Sequence, residues 1–553
     1  MPAPEERRYP QRVHNKPKYL EDFVCCIRDS CYRVSNVPAT YKQAVERDDS
    51  DQWQTAMESE MQSMIDNEVF SVVPLPAGKK VVGSRWVFSI KDNPDGATLH
   101  KARFVAKGFS QTEGSDYTDT YSPTAKMSTV RMLMQLAVEN DMTVHQLDVK
   151  TAYLNAPIDC EVYVKQPMGF EEHPRGDGTV LVWKLHKSLY GLKQSGRNWN
   201  VILSEFFKSK GFSQSKSDAC LFCRDSESGK LFLVVWVDDI IVAGSPKLVG
   251  TIKETMKEKF KMTDLGNISY FLGIQFQQSP GMITMTQSHY LQCVLKRYEM
   301  DKCNPRQTPC ESNLDAYKSD DDDTTPQDDI RRYREIVGSL VYAMTCSRPD
   351  LSWTITKLSQ HLACPQKSDW MIVHQVLRYI KGTTDHKLTF RKSMNGPVLI
   401  GHSDSDWASS KDDRKSTTGY CFSLNSNGPV LAWKSRKQPT VALSSCEAEY
   451  MALTNATQEA MFLRNLLTDF GINVNLPILI RGDNLGSLDL VRNEVSNDRS
   501  KHIDIKHHFI RDKYREGLIN ITHIPTNENV ADIFTKPATK QKLIAFAPKL
   551  FGL

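Results

Sequence analysis

Two neighbouring aspartates, Asp238 and Asp239, interrupt the apolar stretch LFLVVWVDDIIVAGS over residues 231–245. Adjacent side chains on one strand face opposite sides of a sheet, so an unbroken strand would bury at least one carboxylate as an unpaired charge. The stretch therefore reads as two short strands, Leu231 to Val237 and Ile240 to Ala243, joined by a tight hairpin that carries the carboxylates out of the apolar layer. Taken alone, the pair reads more readily as a plain surface turn, and its context has to decide. A third aspartate, Asp148, ends the strand-like run Val144 to Leu147 and could pair with that turn. Aspartates on two neighbouring strands can clamp two divalent ions, one activating an attacking oxygen and the other neutralising a triphosphate and its leaving group.

The chain that must position these groups has 553 residues, 40% hydrophobic and 25% charged. That is ordinary globular composition, with length for roughly two to four domains. It has no long unbroken apolar run, and its start, MPAPEERRYPQRVHNKPKYLED, lacks a signal-type apolar core, so neither a membrane span nor secretion is expected. A net charge of +4 permits local basic surfaces without itself implying a nucleic-acid partner. The 13 cysteines follow no regular framework, which suggests free thiols in a reducing compartment. Cys220 and Cys223 form a C-x-x-C with no second ligand pair near it, so packed thiols are expected there rather than zinc. His502, His507 and His508 read as one basic helix face.

Along the chain, residues 1–49 read as a disordered leader rich in Pro, Arg, Lys and Glu. Trp53, Met57, Met61 and Met64 then fall on one face of an amphipathic helix, a core-packing pattern. Two alternating strands follow around the turn Asn93-Pro94-Asp95-Gly96, a hairpin carrying Lys91, Lys101, Arg103 and Lys107. The acidic segment ESNLDAYKSDDDDTTPQDD, 311–329, reads as a solvated linker. Helical patterns return and stop at Gly382. From Pro397 the expected order is three strands (397–405, 417–424, 429–436), a helix (445–470), a strand (477–482), helices (484–515), a strand (518–524) and a helix. Three hairpin-linked strands followed by alternating helices and strands indicate a mixed-sheet α/β domain.

The ordered blocks KARFVAKGFSQ, YSPTAKMSTVR, QLDVKTAYLN, HKSLYGLKQSGRNW, VWVDDIIVAG and DLGNISYFLGIQ resemble the reverse transcriptase of copia-type long-terminal-repeat retrotransposons over roughly residues 50–300. The resemblance implies a right-hand polymerase whose antiparallel palm sheet carries the catalytic, metal-binding aspartates at Asp148, Asp238 and Asp239. It places Tyr153 as the aromatic gate under the incoming sugar, where bulk would clash with a 2′-hydroxyl. Gln194 matches the family's nucleotide-contacting glutamine, and Lys101 and Arg103 are the candidates for gripping the triphosphate. The segment YFLGI, 270–274, resembles the hairpin that holds the primer end. One departure is Trp236, where the family usually has Tyr; an aromatic surface beside the nucleotide and primer end is kept and the phenolic hydroxyl is lost.

The last region, with LIGHSDSDWASSKDDRKSTTGYCFSL, ALSSCEAEYMAL, RGDNLGSL, RSKHIDIKHHFIRD and ITHIPTNENVADIFTKP, resembles the ribonuclease H domain of the same elements. Carried over residue by residue, the family's four metal-binding acids fall on Asp404, Glu449, Asp483 and Asp532. Asp406 stands close to Asp404, but the motif favours Asp404. In Ser444-Ser445-Cys446-Glu447 a capping box is expected, with Glu447 returning to the Ser444 amide, which leaves Glu449 for metal. The segment before Asp532 has no histidine loop, although His523 lies just ahead. Lys501, His502, Lys506, His507, Arg511 and Lys513 either follow a hybrid's phosphates or form a solvated basic face.

The implied organisation is reverse transcriptase fingers, palm and start of thumb at 50–305, an acidic linker at 306–330, a helical thumb and connection at 331–395, a ribonuclease H-like domain at 396–540, and a tail at 541–553. The implied function is RNA-directed DNA synthesis with degradation of the copied RNA. Each site would use two Mg²⁺ ions, with Mn²⁺ as the alternate. The implied partners are an RNA or DNA template, a DNA primer, deoxynucleoside triphosphates and an RNA–DNA hybrid, with no membrane, in a dimer or a virus-like particle that is cytoplasmic or nuclear. The competing reading is a domesticated, non-catalytic protein that binds nucleic acid through the inherited surface. The acids assigned to both sites are all in place, which favours an enzyme. No Asp-Thr-Gly or Asp-Ser-Gly protease motif and no integrase-type zinc motif occurs, so the resemblance implies the distal part of a copia-type polyprotein, either a processed or truncated product or a remnant retained by a host.

Overall fold

A computed structural model describes residues 37–92, 98–172, 179–313, 327–393, 396–410, 412–425, 428–492 and 508–553. The Asn93–Gly96 turn, most of the acidic linker, and Lys501, His502, Lys506 and His507 therefore lie outside the described residues. The chain forms two units, one of residues 1–122 and 151–202 and the other of residues 123–150 and 203–553.

In the first unit, helices α1 (Tyr41–Val45) and α2 (Ser50–Asp66) precede β1 (Phe70–Pro74), β2 (Val81–Val82) and the hairpin β3 (Ser84–Asp92) and β4 (Thr98–Ala106). The short helix α1 thus falls within the stretch read as a leader. Strands β6 (Tyr163–Val164) and β7 (Leu181–Leu185) complete a sheet of order β1-β7-β6-β2. As the sequence spacing predicts, Trp53, Met57 and Met64 of α2 are buried, and Met61 packs at the edge of the same core. The Trp53 ring meets Phe88 edge-on at 5.2 Å. The same face also buries Glu60, whose Oε1 accepts from the Phe104 amide at 3.4 Å. Helix α4 (Ser195–Ser209) leads into the second unit.

The second unit begins with α3 (Met127–Glu139) and β5 (Thr143–Val149). With β8 (Ser213–Gln214), β9 (Leu221–Ser226), β10 (Gly229–Trp236), β11 (Asp239–Gly244) and β12 (Met262–Asn267), β5 forms an antiparallel sheet of order β12-β5-β11-β10-β9-β8. Strand β11 and residues 231–235 of β10 are buried residue after residue, because the sheet is covered on both faces. Helices α3 and α5 (Pro246–Lys259) pack on it. A second sheet joins β13 (Tyr270–Phe271), β14 (Ile274–Ser279) and β15 (Met282–Thr286) to β16 (Lys387–Arg391), so the chain returns to this sheet after helices α6 (Ser288–Arg297), α7 (Gln327–Cys346), α8 (Ser352–Leu358) and α9 (Lys367–Gly382).

The terminal region is a five-stranded mixed sheet of order β19-β18-β17-β20-β21. Strands β17 (Ile400–Ser405), β18 (Thr417–Ser423) and β19 (Val430–Lys437) are antiparallel, whereas β20 (Ile478–Gly482) and β21 (Ile519–His523) run parallel to β17. Helix α10 (Ser445–Asp469) packs across it, followed by α11 (Leu485–Arg492), α12 (His508–Arg515) and a 3₁₀ turn, Val530–Phe534. The stretch expected as a tail is helix α13 (Lys540–Phe551), which buries Leu543, Phe546, Leu550 and Phe551.

The six-stranded sheet and the terminal sheet share one apolar core. Phe232 of β10 meets Phe470 edge-on at 5.0 Å. Arg131 of α3 is buried at this junction, donating to the carbonyls of Leu431 (2.6 Å), Thr345 (2.8 Å) and Cys346 (2.9 Å) and lying 3.9 Å from the Trp433 ring. Burial pushes its guanidinium down to about 10. The fold is α/β throughout. Among the described residues no helix is long and apolar enough to cross a membrane.

Candidate active sites

In the palm, β10 and β11 pair with Trp236 opposite Asp239, leaving Val237 and Asp238 as a two-residue turn. The strand boundaries differ from the sequence expectation. Of the two aspartates only Asp238 lies in the turn, whereas Asp239 opens β11 and is 7% exposed. A two-residue hairpin favours a positive φ at its first turn residue, and Val237 adopts +58°. For a β-branched side chain this is strained backbone. The turn is held to the neighbouring strand by a hydrogen bond from the Val149 amide to the Asp238 carbonyl, 2.8 Å.

The pairing of β11 with β5 sets Asp239 directly opposite Asp148. Residues directly opposite across an antiparallel pair share a face, and like charges there repel. Gln146, two residues earlier on that face, donates to Asp239 Oδ1 at 3.4 Å. A cation between Asp148 and Asp239 would remove the repulsion, and carboxylate oxygens are the donors that Mg²⁺ or Mn²⁺ takes. Trp236, opposite Asp239, is half-buried and packs against the core.

The other nucleotide-side candidates belong to the first unit. Lys101 and Arg103 lie two apart on β4 and share a face. The Arg103 guanidinium stands 5.1 Å from the Tyr190 ring, which is 5.1 Å from Tyr153, so these three form a row. Their approach depends on Gly191, at φ +89°, where a Cβ would meet the Ala106 carbonyl oxygen at 2.1 Å. Gln194 is fully buried, with its amide donating to the Asp116 carbonyl at 2.8 Å and accepting from Gln111 at 3.1 Å. In this arrangement its side chain braces the loop from within.

In the terminal domain Asp404 sits near the end of β17, Glu449 on the first turns of α10, and Asp483 just past β20. One oxygen from each comes within 4.8 Å of the others, the only such acidic group of three among the described residues. Asp404 and Glu449 are buried. Burial, with repulsion from the neighbouring carboxylates, pushes Asp404 up to about 7 and Glu449 up to about 10. Three hard oxygen donors that resist sharing negative charge are a fitting set for a divalent cation.

Asp532 lies outside that group. It is fully buried and ion-paired to Lys536 and Lys542. Glu447 also departs from the expected capping box: the Ser444 hydroxyl accepts from the Glu447 amide as expected, but the Glu447 carboxylate takes the Leu443 amide at 2.7 Å instead of that of Ser444. Asp406 is occupied by Ser409 and the Thr417 amide.

The sequence reading missed the groups that hold the acids. Thr535 donates to Asp404, and the Ser405 amide donates to Glu449 at 3.1 Å. Gln438 donates to Ser405, Thr418 and the Ala448 carbonyl, tying β17, β18 and α10 together. Asn529 caps the 3₁₀ turn and donates to the Ser403 carbonyl at 2.9 Å. The turn reaches the sheet because β18 has Gly419 there, where a Cβ would meet Thr535 at 2.7 Å and Phe534 at 2.8 Å. The cap was readable in the motif Asn529-Val530-Ala531-Asp532; the contacts of Thr535 and Gln438 need the third dimension.

Cys220 and Cys223 are free thiols, each pushed up to about 12 by burial.

A sheet with facing aspartates beside a hairpin, and a separate mixed sheet gathering three acids, give the chain two acidic sites on two different sheets. Residues 67–312 match the family described as reverse transcriptase (RNA-dependent DNA polymerase). The chain is 35% identical over 98% of its length to the retrovirus-related Pol polyprotein from transposon TNT 1-94 of Nicotiana tabacum, of which it spans 40%. It is 32% identical to the putative transposon Ty5-1 protein of Saccharomyces cerevisiae, over 57% of this chain and 100% of that protein. Among solved structures, LC11-RNase H1 in complex with an RNA/DNA hybrid is similar at 18% identity and a TM-score of 0.20, over 25% of this chain and 93% of that one. The chain belongs to the copia-type retrotransposon Pol polyproteins.

Proposed function

We propose that this chain synthesises DNA on an RNA or DNA template at the palm and hydrolyses the RNA of the resulting hybrid at the terminal domain. The observation that carries this reading is the gathering of Asp404, Glu449 and Asp483, in a chain whose palm separately sets Asp148 opposite Asp239.

At the palm, Asp148, Asp238 and Asp239 would hold Mg²⁺ or Mn²⁺. When bound, the ions supply charge stabilisation for the attacking 3′-oxygen and the departing pyrophosphate. The strained Val237 turn and the Val149 hydrogen bond fix where Asp238 points, so its carboxylate needs little reorganisation. Within the first unit, Tyr153, Lys101 and Arg103 keep the roles that the family resemblance gives them, Tyr153 for a nucleotide's sugar and the two cations for its triphosphate.

At the terminal site, Asp404, Glu449 and Asp483 would hold the cation, while Asp532 stays outside that group, paired with Lys536 and Lys542. Thr535 and the Ser405 amide orient Asp404 and Glu449, and Lys536, ion-paired to Asp532, offsets part of the negative charge. Purified chain with a homopolymer template, a primer and deoxynucleoside triphosphates in Mg²⁺ or Mn²⁺ tests the first activity. Release of RNA fragments from a labelled hybrid tests the second. Extension and cleavage are both expected; failure of each at every metal concentration would sink the reading.

A further inference from the structure

Beside the acidic group of the terminal domain three large apolar side chains face solvent: Trp407, 57% exposed, Val441, 45%, and Leu443, 67%. Isolated exposed apolar residues need no explanation. These belong to two loops that are tied together, since the Trp407 indole N–H donates to the Ala442 carbonyl at 3.3 Å.

The loop carrying Val441 and Leu443 is also pinned at both ends. At its start the Gln438 amide donates to the Ser416 carbonyl at 2.8 Å, and its side chain bonds Ser405 and Ala448, the chain neighbours of Asp404 and Glu449. At its end the Leu443 amide is held by Glu447 and Ser444 caps α10. Between them Ala442 is buried against Ala448 and Met451. With Ala442 fixed inward, its neighbours are held outward. The ridge is a rigid display of apolar surface beside the acids, and Lys434 and Arg436 are exposed on the strand that leads into it.

We propose that Trp407, Val441 and Leu443 form a contact ridge for the RNA strand of an RNA–DNA hybrid, packing on its ribose face while Lys434 and Arg436 meet phosphates. The wide, shallow minor groove of an A-like helix offers C–H surfaces of sugars to a flat side chain, whereas its paired bases are closed to stacking. The position next to Asp404 and Glu449 selects this occupant, because a strand cut there must cross the ridge. The inference rests on the hydrolytic reading above.

The test uses the full chain. Trp407→Ala is expected to raise KM for RNA cleavage roughly tenfold, the scale of losing one aromatic contact to nucleic acid. Its kcat and primer extension stay unchanged, Trp407→Phe restores most of the loss, and Leu443→Ser gives a smaller increase. In Asp483→Asn chain labelled with 5-fluorotryptophan, the ¹⁹F resonance that Trp407→Phe removes is expected to shift on adding a short hybrid. An unchanged KM in Trp407→Ala, or a stationary resonance while others respond to hybrid, overturns the ridge but leaves the hydrolytic reading standing. Self-association of the parent that Trp407→Ala abolishes, without a change in KM, assigns the ridge to a second copy and also overturns it. A parent that neither cleaves hybrid nor shows any shift with it takes down both.

Discussion

Asp148 and Asp239 face each other across the adjacent antiparallel strands β5 and β11, with Asp238 one residue before Asp239 in the turn that joins β10 to β11. Two carboxylates in that relation oppose each other's charge unless something positive stands between them. The sheet holds the arrangement, and a divalent cation between the two would complete it.

Separate sites imply separable losses. Asp238→Asn is expected to lower primer extension at least about a hundredfold, the effect of losing a few kcal/mol of transition-state stabilisation, while hybrid cleavage is retained. Asp483→Asn is expected to do the reverse. Parallel extension and cleavage assays on both variants check this, and equal loss of both activities in each variant would contradict it.

The backbone at Val237 offers a second check. Val237→Gly relaxes the positive φ, so thermal stability is expected to hold or to rise by about 1 kcal/mol. Primer extension should nevertheless fall, because the turn no longer fixes Asp238. A variant that keeps full extension rates would show that the strain serves no placement.

Gly419 makes the corresponding prediction for the terminal site. In Gly419→Ala the new methyl group must displace the 3₁₀ turn that carries Asp532, at a cost of about 1–3 kcal/mol. Hybrid cleavage is expected to drop with the melting temperature of the terminal domain, and Asn529→Ala should act in the same direction. Unchanged cleavage in both would argue against that turn as the support of the site.

Glu60 gives a pH signature. Burial raises its carboxyl from 4.5 to about 7, outweighing the nearby Arg103 and Lys101. The folded state then binds a proton that the unfolded state has released, so stability is full below about pH 4.5 and falls as pH rises towards 7. Glu60→Gln mimics the protonated form and is expected to stabilise the first unit by on the order of 3 kcal/mol at pH 8, with little effect at pH 4. Urea unfolding at the two pH values measures it; equal effects at both would rule out the buried proton.

Much of this organisation was readable in the residues. The palm hairpin announced itself because alternation fails at two adjacent carboxylates between β-formers, and the terminal domain through its order of strands and helices. Asp239 was placed in the turn because a carboxylate inside a buried strand is costly; the strand begins one residue earlier because pairing with Asp148 needs it there. Glu60 could not be found from an amphipathic pattern that counts only apolar positions. Helix α13 was read as a tail, although Leu543, Phe546 and Leu550 recur at helical spacing. Pro548 lies within that helix. The joining of the palm to the terminal sheet had no local signal at all, since Arg131 and Trp433 are far apart in the chain.

That joint bears on what can be cut away. Arg131 spends its donors on carbonyls contributed partly by the last domain, and its flat cation rests on an indole from the same source. Deleting everything after the helical connection would leave this guanidinium stranded on a bare greasy patch, one of its three carbonyl acceptors and its indole platform gone. A chain shortened at that point should therefore clump unless that one arginine and the apolar side chains around it are rewritten.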